Sequence, residues 1–299
     1  MDAFRPLDSV LKAKPFGSLG NVIGGIAAYL GKSFMIYQPS KETTTEFKHF
    51  GIDGVTLSAR TVDSINLGGY HFYPLGADTK SLPTVVYFHE NAGTIGQRFS
   101  YFSDYVKTCQ VNLVVFGYRG YSKSPGMPSM AGIQRDADAV MEKVFTALAP
   151  TINVERVIVH GKSIGGAVAA YVAAQEKWKS KIRGIILDST FKSMTELVCD
   201  VVPSLRKNDI GTVIFENECW NTVEQIKLFN RDTPVLLIGV HQDEICPFTH
   251  IQYLKKALEE QEQKKISFVE FPEGGHNDYV YLYTSQYHDA LKAFLASLA

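Results

Sequence analysis

From residue 55 onward, short uninterrupted apolar runs alternate with longer stretches whose apolar residues recur every three or four positions. The runs fall at 85–88, 113–116, 157–159, 184–187 and 235–238. Because they are continuous rather than alternating, both faces of each strand must be covered, which predicts a parallel sheet flanked by helices. Residues 55–58 and 64–74 read as an antiparallel lead-in. Helical stripes follow: Ile133, Val140, Met141, Val144 and Leu148; then Ile251, Leu254 and Leu258 behind a helix-opening Pro247; then Tyr283, Tyr287, Leu291, Phe294 and Leu298. Repeated strand–helix–strand order predicts a doubly wound, mostly parallel α/β sheet. Ligands in such sheets sit at the carboxyl ends of the strands, so the residues just past each run are where chemistry is expected.

Two segments depart from this rhythm. Residues 191–231 separate two strand runs by more than an ordinary connection. They predict a helical lid inserted over the sheet, or two crossover helices, with a capping box at Asn221 and Glu224. Cys199, Pro203, Phe215, Trp220 and Leu228 supply its apolar surface. The other departure is residues 1–45, read as an N-terminal helical extension preceding a domain over 46–299. Within it, residues 15–31 carry no charge, and Leu19, Val22, Ile23, Ile26 and Leu30 lie at helical spacing behind Lys12 and Lys14. Three readings stay open: a helix packed on the body or a mobile extension, a membrane-surface attachment, and a secretory signal. Asp2 excludes N-myristoylation.

Composition narrows the function classes. At 45% hydrophobic and 20% charged residues, the 299-residue chain is neither disordered nor fibrous. Lys and Arg number 30 against 31 Asp and Glu, so bulk charge gives no attraction to nucleic acid. Cys109, Cys199, Cys219 and Cys246 form no CxxC pair, which argues against a zinc site or a disulfide scaffold. A reducing, cytoplasmic or membrane-attached setting is expected, with a Cys199–Cys219 bridge considered only for a secreted chain.

The chemistry gathers at the strand ends. Residues 161–166 read Gly-Lys-Ser-Ile-Gly-Gly between a strand and a helix, a G-x-S-x-G nucleophile elbow that lifts the Ser163 hydroxyl above the sheet. A hydroxyl at neutral pH needs a base. Of eight histidines, His276 is the last at a strand end, as the order Ser, acid, His requires. His160 reads as a core residue, His250 and His288 as solvated helix positions, and His241 stands beside another candidate group. Asp243, beyond the run at 235–238, is the expected carboxylate; Glu244 would point elsewhere, Asp188 is the alternative, and Asp278 reads as salt-bridged or solvated. The oxyanion donors are expected to be the N–H groups of Ile164, after the nucleophile, and Asn91, in the loop after 85–88. This chemistry needs no metal and no organic cofactor.

His89-Glu90-Asn91-Ala92-Gly93-Thr94-Ile95-Gly96, Tyr118-Arg119-Gly120-Tyr121-Ser122, the elbow, the Asp243 loop and Gly275-His276-Asn277-Asp278 together resemble the motifs of α/β-hydrolase-fold serine hydrolases. The nearest resemblance is to the branch of alpha/beta hydrolase domain-containing protein 13, often grouped with the serine aminopeptidases. It spans residues 34–298. The resemblance implies an acyl-enzyme mechanism, and an N-terminal membrane contact, since members of the branch commonly begin with an anchor. Two positions depart from the family pattern: Glu90 and Ser122 stand where glycine is usual. If position 90 needs φ > 0, Glu90 is strained; if its carboxylate faces the oxyanion, it opposes the developing charge. Otherwise it points away or reads a cationic group. Three functions follow: hydrolysis of a carboxylic ester or thioester, with a small-molecule or acylated substrate; an aminopeptidase that grips an α-ammonium through Glu90; and a non-catalytic binding protein on the same fold.

Overall fold

A computed structural model describes residues 36–42, 46–201, 203 and 218–298. The chain divides into two compact units at Tyr37/Gln38. The uncharged segment at 15–31 lies outside the described residues, as do 204–217 of the expected lid.

Among the described residues, the second unit is built on eight strands: β1 (Ile52–Arg60), β2 (Asn66–Pro74), β3 (Thr84–Phe88), β4 (Asn112–Phe116), β5 (Val157–Lys162), β6 (Ile182–Asp188), β7 (Val235–Val240) and β8 (Ile266–Phe271). They lie in the order β8-β7-β6-β5-β3-β4-β2-β1. The lead-in pair β1 and β2 is antiparallel, and β2 joins β4 antiparallel. All pairings from β4 to β8 are parallel. The helices are α1 (Phe99–Cys109), α2 (Met130–Phe145), α3 (Ile164–Ala174), α4 (Met194–Val201), α5 (Thr222–Ile226), α6 (Phe248–Glu260), α7 (Tyr279–Leu282) and α8 (Thr284–Ala296).

Helices α1 and α8 pack together over one face, where Phe99, Phe102, Tyr105 and Leu291 meet Tyr87, Ile186, Leu236 and Ile238. On the other side α2, α5 and the strands surround α3. Every α3 residue except Tyr171 is buried, which its run of Gly, Ala and Val permits and a one-faced amphipathic helix would not. The chain leaves β3 for β4 on one side and returns to β5 on the other. The carboxyl end of β3 is therefore the topological switch point, and His89, Glu90 and Asn91 follow it directly.

Between β6 and β7, Ser193 pairs with Asn221 and the Met194 N–H donates to Trp220 O at 3.1 Å. The chain thus leaves and returns at one point. It then makes a crossover helix, α5, packed on α3 and α6. Of the two expectations for 191–231, the crossover has a counterpart in α5, while most of the expected lid lies outside the described residues. The capping box is half made: Asn221 Oδ1 accepts from the Glu224 N–H at 3.2 Å. Pro247 is the N-cap of α6 rather than its first helical residue.

The crossing of β5 and α3 at the switch point leaves no room for side chains. A Cβ on Gly161 would stand 1.9 Å from Gly165 O, and one on Gly165 would stand 1.9 Å from Phe88 O. Helix propensity alone favours alanine over glycine by about 1 kcal/mol. The steric term has the opposite sign and is larger. Gly165→Ala is expected to lower stability by about 3 kcal/mol in urea denaturation, and an unchanged midpoint would show that strand and helix can separate there.

Candidate active site

The last residue of β5 hands directly to Ser163, whose backbone is at φ 56° and ψ −125°. Few L-residues occupy that region, and the surroundings hold this one in it. The Ser163 N–H donates to Asp188 O at 2.9 Å, while its carbonyl accepts from Gly166 N at 2.9 Å and Thr190 Oγ1 at 2.7 Å. Ile164 opens α3, so its N–H is among the first-turn donors that no helical carbonyl satisfies. The hydroxyl is buried and its contact is with Cys246 Sγ at 4.0 Å. Burial, then the Asp243 carboxylate, pushes the Cys246 thiol well above its ordinary pKa, so it stays protonated.

Adjacent parallel strands deliver the partners side by side. Asp243 lies three residues past the end of β7, and His276 five past β8. His276 Nδ1 stands 2.8 Å from Asp243 Oδ2. The same oxygen accepts the Ser189 hydroxyl, from the residue after β6. Asp243 Oδ1 accepts the N–H groups of Ile245 at 2.9 Å and Cys246 at 2.7 Å. Burial alone would raise the Asp243 pKa, but the hydrogen bond and charge of His276, then Ser189 and the Cys246 N–H, hold it below the ordinary carboxylate range. The acid is therefore ionised at neutral pH and aimed at the ring. Among the described hydrogen bonds, Ser163 Oγ and His276 Nε2 are not joined.

The loop after β3 is fixed from several directions. The His89 ring is buried, and burial, then the charge of Arg98, lowers its pKa to about 3. It is thus neutral, with Nδ1–H donating to Glu90 O at 2.7 Å and Nε2 accepting from Tyr118 N at 3.3 Å. A trans peptide sets C=O and N–H in opposite directions, so anchoring the Glu90 carbonyl on His89 aims the Asn91 N–H the other way. The Asn91 carbonyl accepts from Gln38 N at 2.8 Å and Tyr121 Oη at 2.7 Å. Residues Gln38–Pro39 form a short parallel pair with Ala92–Gly93, which holds the loop from outside.

Glu90 is not strained: it is absent from the residues at positive φ. Its Oε2 accepts from Arg98 Nε at 2.8 Å, and Lys162 Nζ lies 3.9 Å from Oε1. Burial raises its pKa, but Arg98 and then Lys162 outweigh burial and bring it to about 2. Ser122, by contrast, does occupy a left-handed conformation at φ 48°, and its hydroxyl accepts the Ile95 N–H at 2.9 Å.

Comparison with known proteins places this architecture. A model of the prolyl oligopeptidase family matches residues 134–299, more than half of the chain and the part that holds the elbow, Asp243 and His276. The chain belongs to that family of α/β hydrolases. It is 31% identical over 243 residues to protein bem46 of Schizosaccharomyces pombe, covering 81% of this chain and 77% of that one. It is 32% identical over 206 residues to alpha/beta hydrolase domain-containing protein WAV2 of Arabidopsis thaliana, covering 66% of this chain and 64% of that one. A solved Pyrococcus furiosus esterase superposes with a TM-score of 0.70 over 88% of this chain and 100% of that one, at 15% identity. That last likeness is one of fold.

Several side chains in this hydrolase differ from their sequence reading. His250 and His288 are buried, not solvated. The inward face of an amphipathic helix takes them, and His250 Nε2 meets Asp200 Oδ2 at 2.9 Å. Glu244 does not point away: its Oε2 accepts the His276 N–H at 3.0 Å. Asp188, the alternative acid, faces the other side of the sheet, where it accepts from the Tyr279 hydroxyl and from Tyr287 Oη at 2.8 Å. Other readings agree with the structure: Asp278 is exposed, accepting the Gly275 N–H at 2.5 Å, and Cys199 and Cys219 are free thiols. Ser189 and Lys162 carried no motif signal, because each meets a partner remote in sequence, and Arg98 meets Glu90 only through the fold of its own loop. Among the described residues, no cluster of three or more His, Cys, Asp or Glu could hold a metal, and no helix is long and apolar enough to cross a membrane.

The Glu90 carboxylate has a pH consequence of definite sign. Its pKa falls on folding, from an ordinary 4.5 to about 2, so its contribution is fully present above pH 4.5 and lost as pH falls towards 2. At about 1.4 kcal/mol per tenfold change in proton affinity, that contribution is about 3 kcal/mol. Glu90→Gln is expected to be less stable than wild type at neutral pH, with the gap closing below pH 4.5 in acid-titrated urea unfolding. A gap constant with pH would contradict the ion-pair assignment.

Proposed function

We propose that this α/β hydrolase is a serine hydrolase that cleaves a carboxylic ester or thioester through an acyl-enzyme. The observation that carries the reading is the 2.8 Å pairing of His276 Nδ1 with a fully hydrogen-bonded, ionised Asp243 beside the elbow serine. Asp243 fixes the tautomer with the proton on Nδ1, leaving Nε2 as the base. As Ser163 Oγ attacks the carbonyl carbon, Nε2 takes its proton, and the imidazolium is stabilised by the buried carboxylate. The carbonyl oxygen becomes an oxyanion facing the N–H groups of Ile164 and Asn91; each such donor is worth roughly 100- to 1,000-fold in rate. Collapse expels the alcohol or thiol, which receives the proton from His276. Water then attacks the acyl-enzyme by the same route and returns Ser163.

Cys246 is no rival nucleophile, since its buried thiol stays protonated. The aminopeptidase reading needed Glu90 to grip an ammonium group. Glu90 is already paired with Arg98 and faces Lys162, so that grip has lost its carboxylate. The esterase-like reading is therefore favoured within a family that also contains peptidases.

A panel of p-nitrophenyl esters of graded chain length tests this. Wild type is expected to turn over at least one member, and Ser163→Ala to lose activity by about 10,000-fold or more while Cys246→Ala retains it. Ser189→Ala, which strips one hydrogen bond from Asp243 Oδ2, is expected to lower kcat by about tenfold with little change in KM. Turnover that survives loss of the Ser163 hydroxyl would reject the mechanism.

A further inference from the structure

Beside the elbow lies a cavity of about 340 Å³, walled in part by Glu90, Arg98, Tyr101, Lys162, Asn277 and Tyr281. Three of the groups proposed for the reaction have a chain neighbour on this wall. Lys162 precedes Ser163, Asn277 follows His276, and Glu90 precedes Asn91. The cavity therefore adjoins the segments that carry those groups.

The wall carries three charged side chains, and two of them are spent. Arg98 gives Nε to Glu90 at 2.8 Å, Nη1 to Thr94 O at 2.7 Å and Nη2 to Ala92 O at 2.5 Å. Glu90 takes that bond and is neutralised by it. Lys162 is different. Its side chain is 4% exposed, and its nearest carboxylate oxygen, Glu90 Oε1, is 3.9 Å away, beyond hydrogen-bond reach. On its other side the ammonium rests 4.7 Å from the Tyr279 ring centre. Behind that ring Asp188 spends its oxygens on Tyr279 and Tyr287. An ammonium has three N–H donors, and among the described residues none of them finds an acceptor. The ammonium opens on the cavity, and an anionic group there would give those donors an acceptor.

We propose that this cavity is an acyl subsite that selects a substrate whose acyl group ends in a carboxylate or phosphate received by Lys162 Nζ. The proposal rests on the hydrolase reading for its reaction, but not for its binding. No bond forms or breaks at Lys162; it orients the acyl group while Ser163 reacts.

The test uses matched p-nitrophenyl esters of equal chain length: hexanoate against the monoester of adipic acid, and octanoate against the monoester of suberic acid. Wild type is expected to favour the acid of at least one pair by tenfold or more in kcat/KM, with the preference falling as salt rises. Lys162→Met is expected to bring that ratio to about one, since Arg98 is already spent on Glu90, Thr94 and Ala92. Lys162→Arg should keep the preference, and Glu90→Gln should increase it, a gain that misfolding cannot mimic. Wild-type ratios of one or less in both pairs, or a ratio unmoved in Lys162→Met, would overturn the subsite. Binding of the same esters to Ser163→Ala by titration calorimetry separates the two claims. A tenfold difference there without wild-type turnover supports the subsite and rejects the hydrolase reading; equal binding rejects the subsite whatever the turnover. Acetate and inorganic phosphate, as competitors at fixed ionic strength, tell the two anions apart. Displacement by acetate supports a carboxylate, displacement by phosphate a phosphate, and displacement by neither overturns the site.

Discussion

The candidate site hangs on one peptide turn. Ser163 must sit at φ 56° for its hydroxyl to stand above the sheet while β5 ends and α3 begins. A conformation of that kind costs about 1–3 kcal/mol and survives only where its neighbours over-determine it. Here they do. The N–H and C=O of Ser163 are bonded to Asp188, Gly166 and Thr190. The closeness of strand and helix is possible only because Gly161 and Gly165 lack side chains. In return, the Ile164 N–H at the start of α3 is left without a helical acceptor beside the hydroxyl. Burial of α3 on nearly all sides keeps that turn from relaxing.

Two carboxylates flank the elbow, Asp243 buried and Glu90 half-buried, and their surroundings treat their charges differently. Asp243 meets neutral donors and one imidazole, so its negative charge is held in place to answer a proton arriving on His276. Glu90 meets a guanidinium at contact distance and an ammonium just beyond it, so its charge is cancelled before it can oppose an oxyanion. A glutamate where glycine is usual is thus accommodated by Arg98, with the Lys162 ammonium 3.9 Å from the same carboxylate.

What was legible in the sequence follows from local rules. Continuous apolar runs marked the parallel strands, and the G-x-S-x-G spacing marked the elbow, because both are dictated within a few residues. Strand-end position singled out Asp243 and His276, and their pairing follows from β7 and β8 being neighbours. What stayed hidden depends on which side chains meet across the fold. Ser189 reaches Asp243 only because β6 and β7 are adjacent. Nothing in the periodicity of α6 or α8 tells that His250 and His288 take inward positions, since histidine is at home on either face. The backbone sign at positions 90 and 122 was equally unreadable: Ser122 needs the left-handed region and Glu90 does not.

The central claim is that the Ser163 hydroxyl turns from Cys246 to His276 and attacks a carbonyl whose oxygen faces the N–H groups of Ile164 and Asn91. A crystal structure of the protein after reaction with an alkyl fluorophosphonate tests it most directly. The account predicts phosphorus bonded to Ser163 Oγ, its phosphoryl oxygen within hydrogen-bond distance of both N–H groups, and His276 still held by Asp243. An unmodified Ser163, a phosphonate on Cys246, or a phosphoryl oxygen turned away from both donors would contradict it.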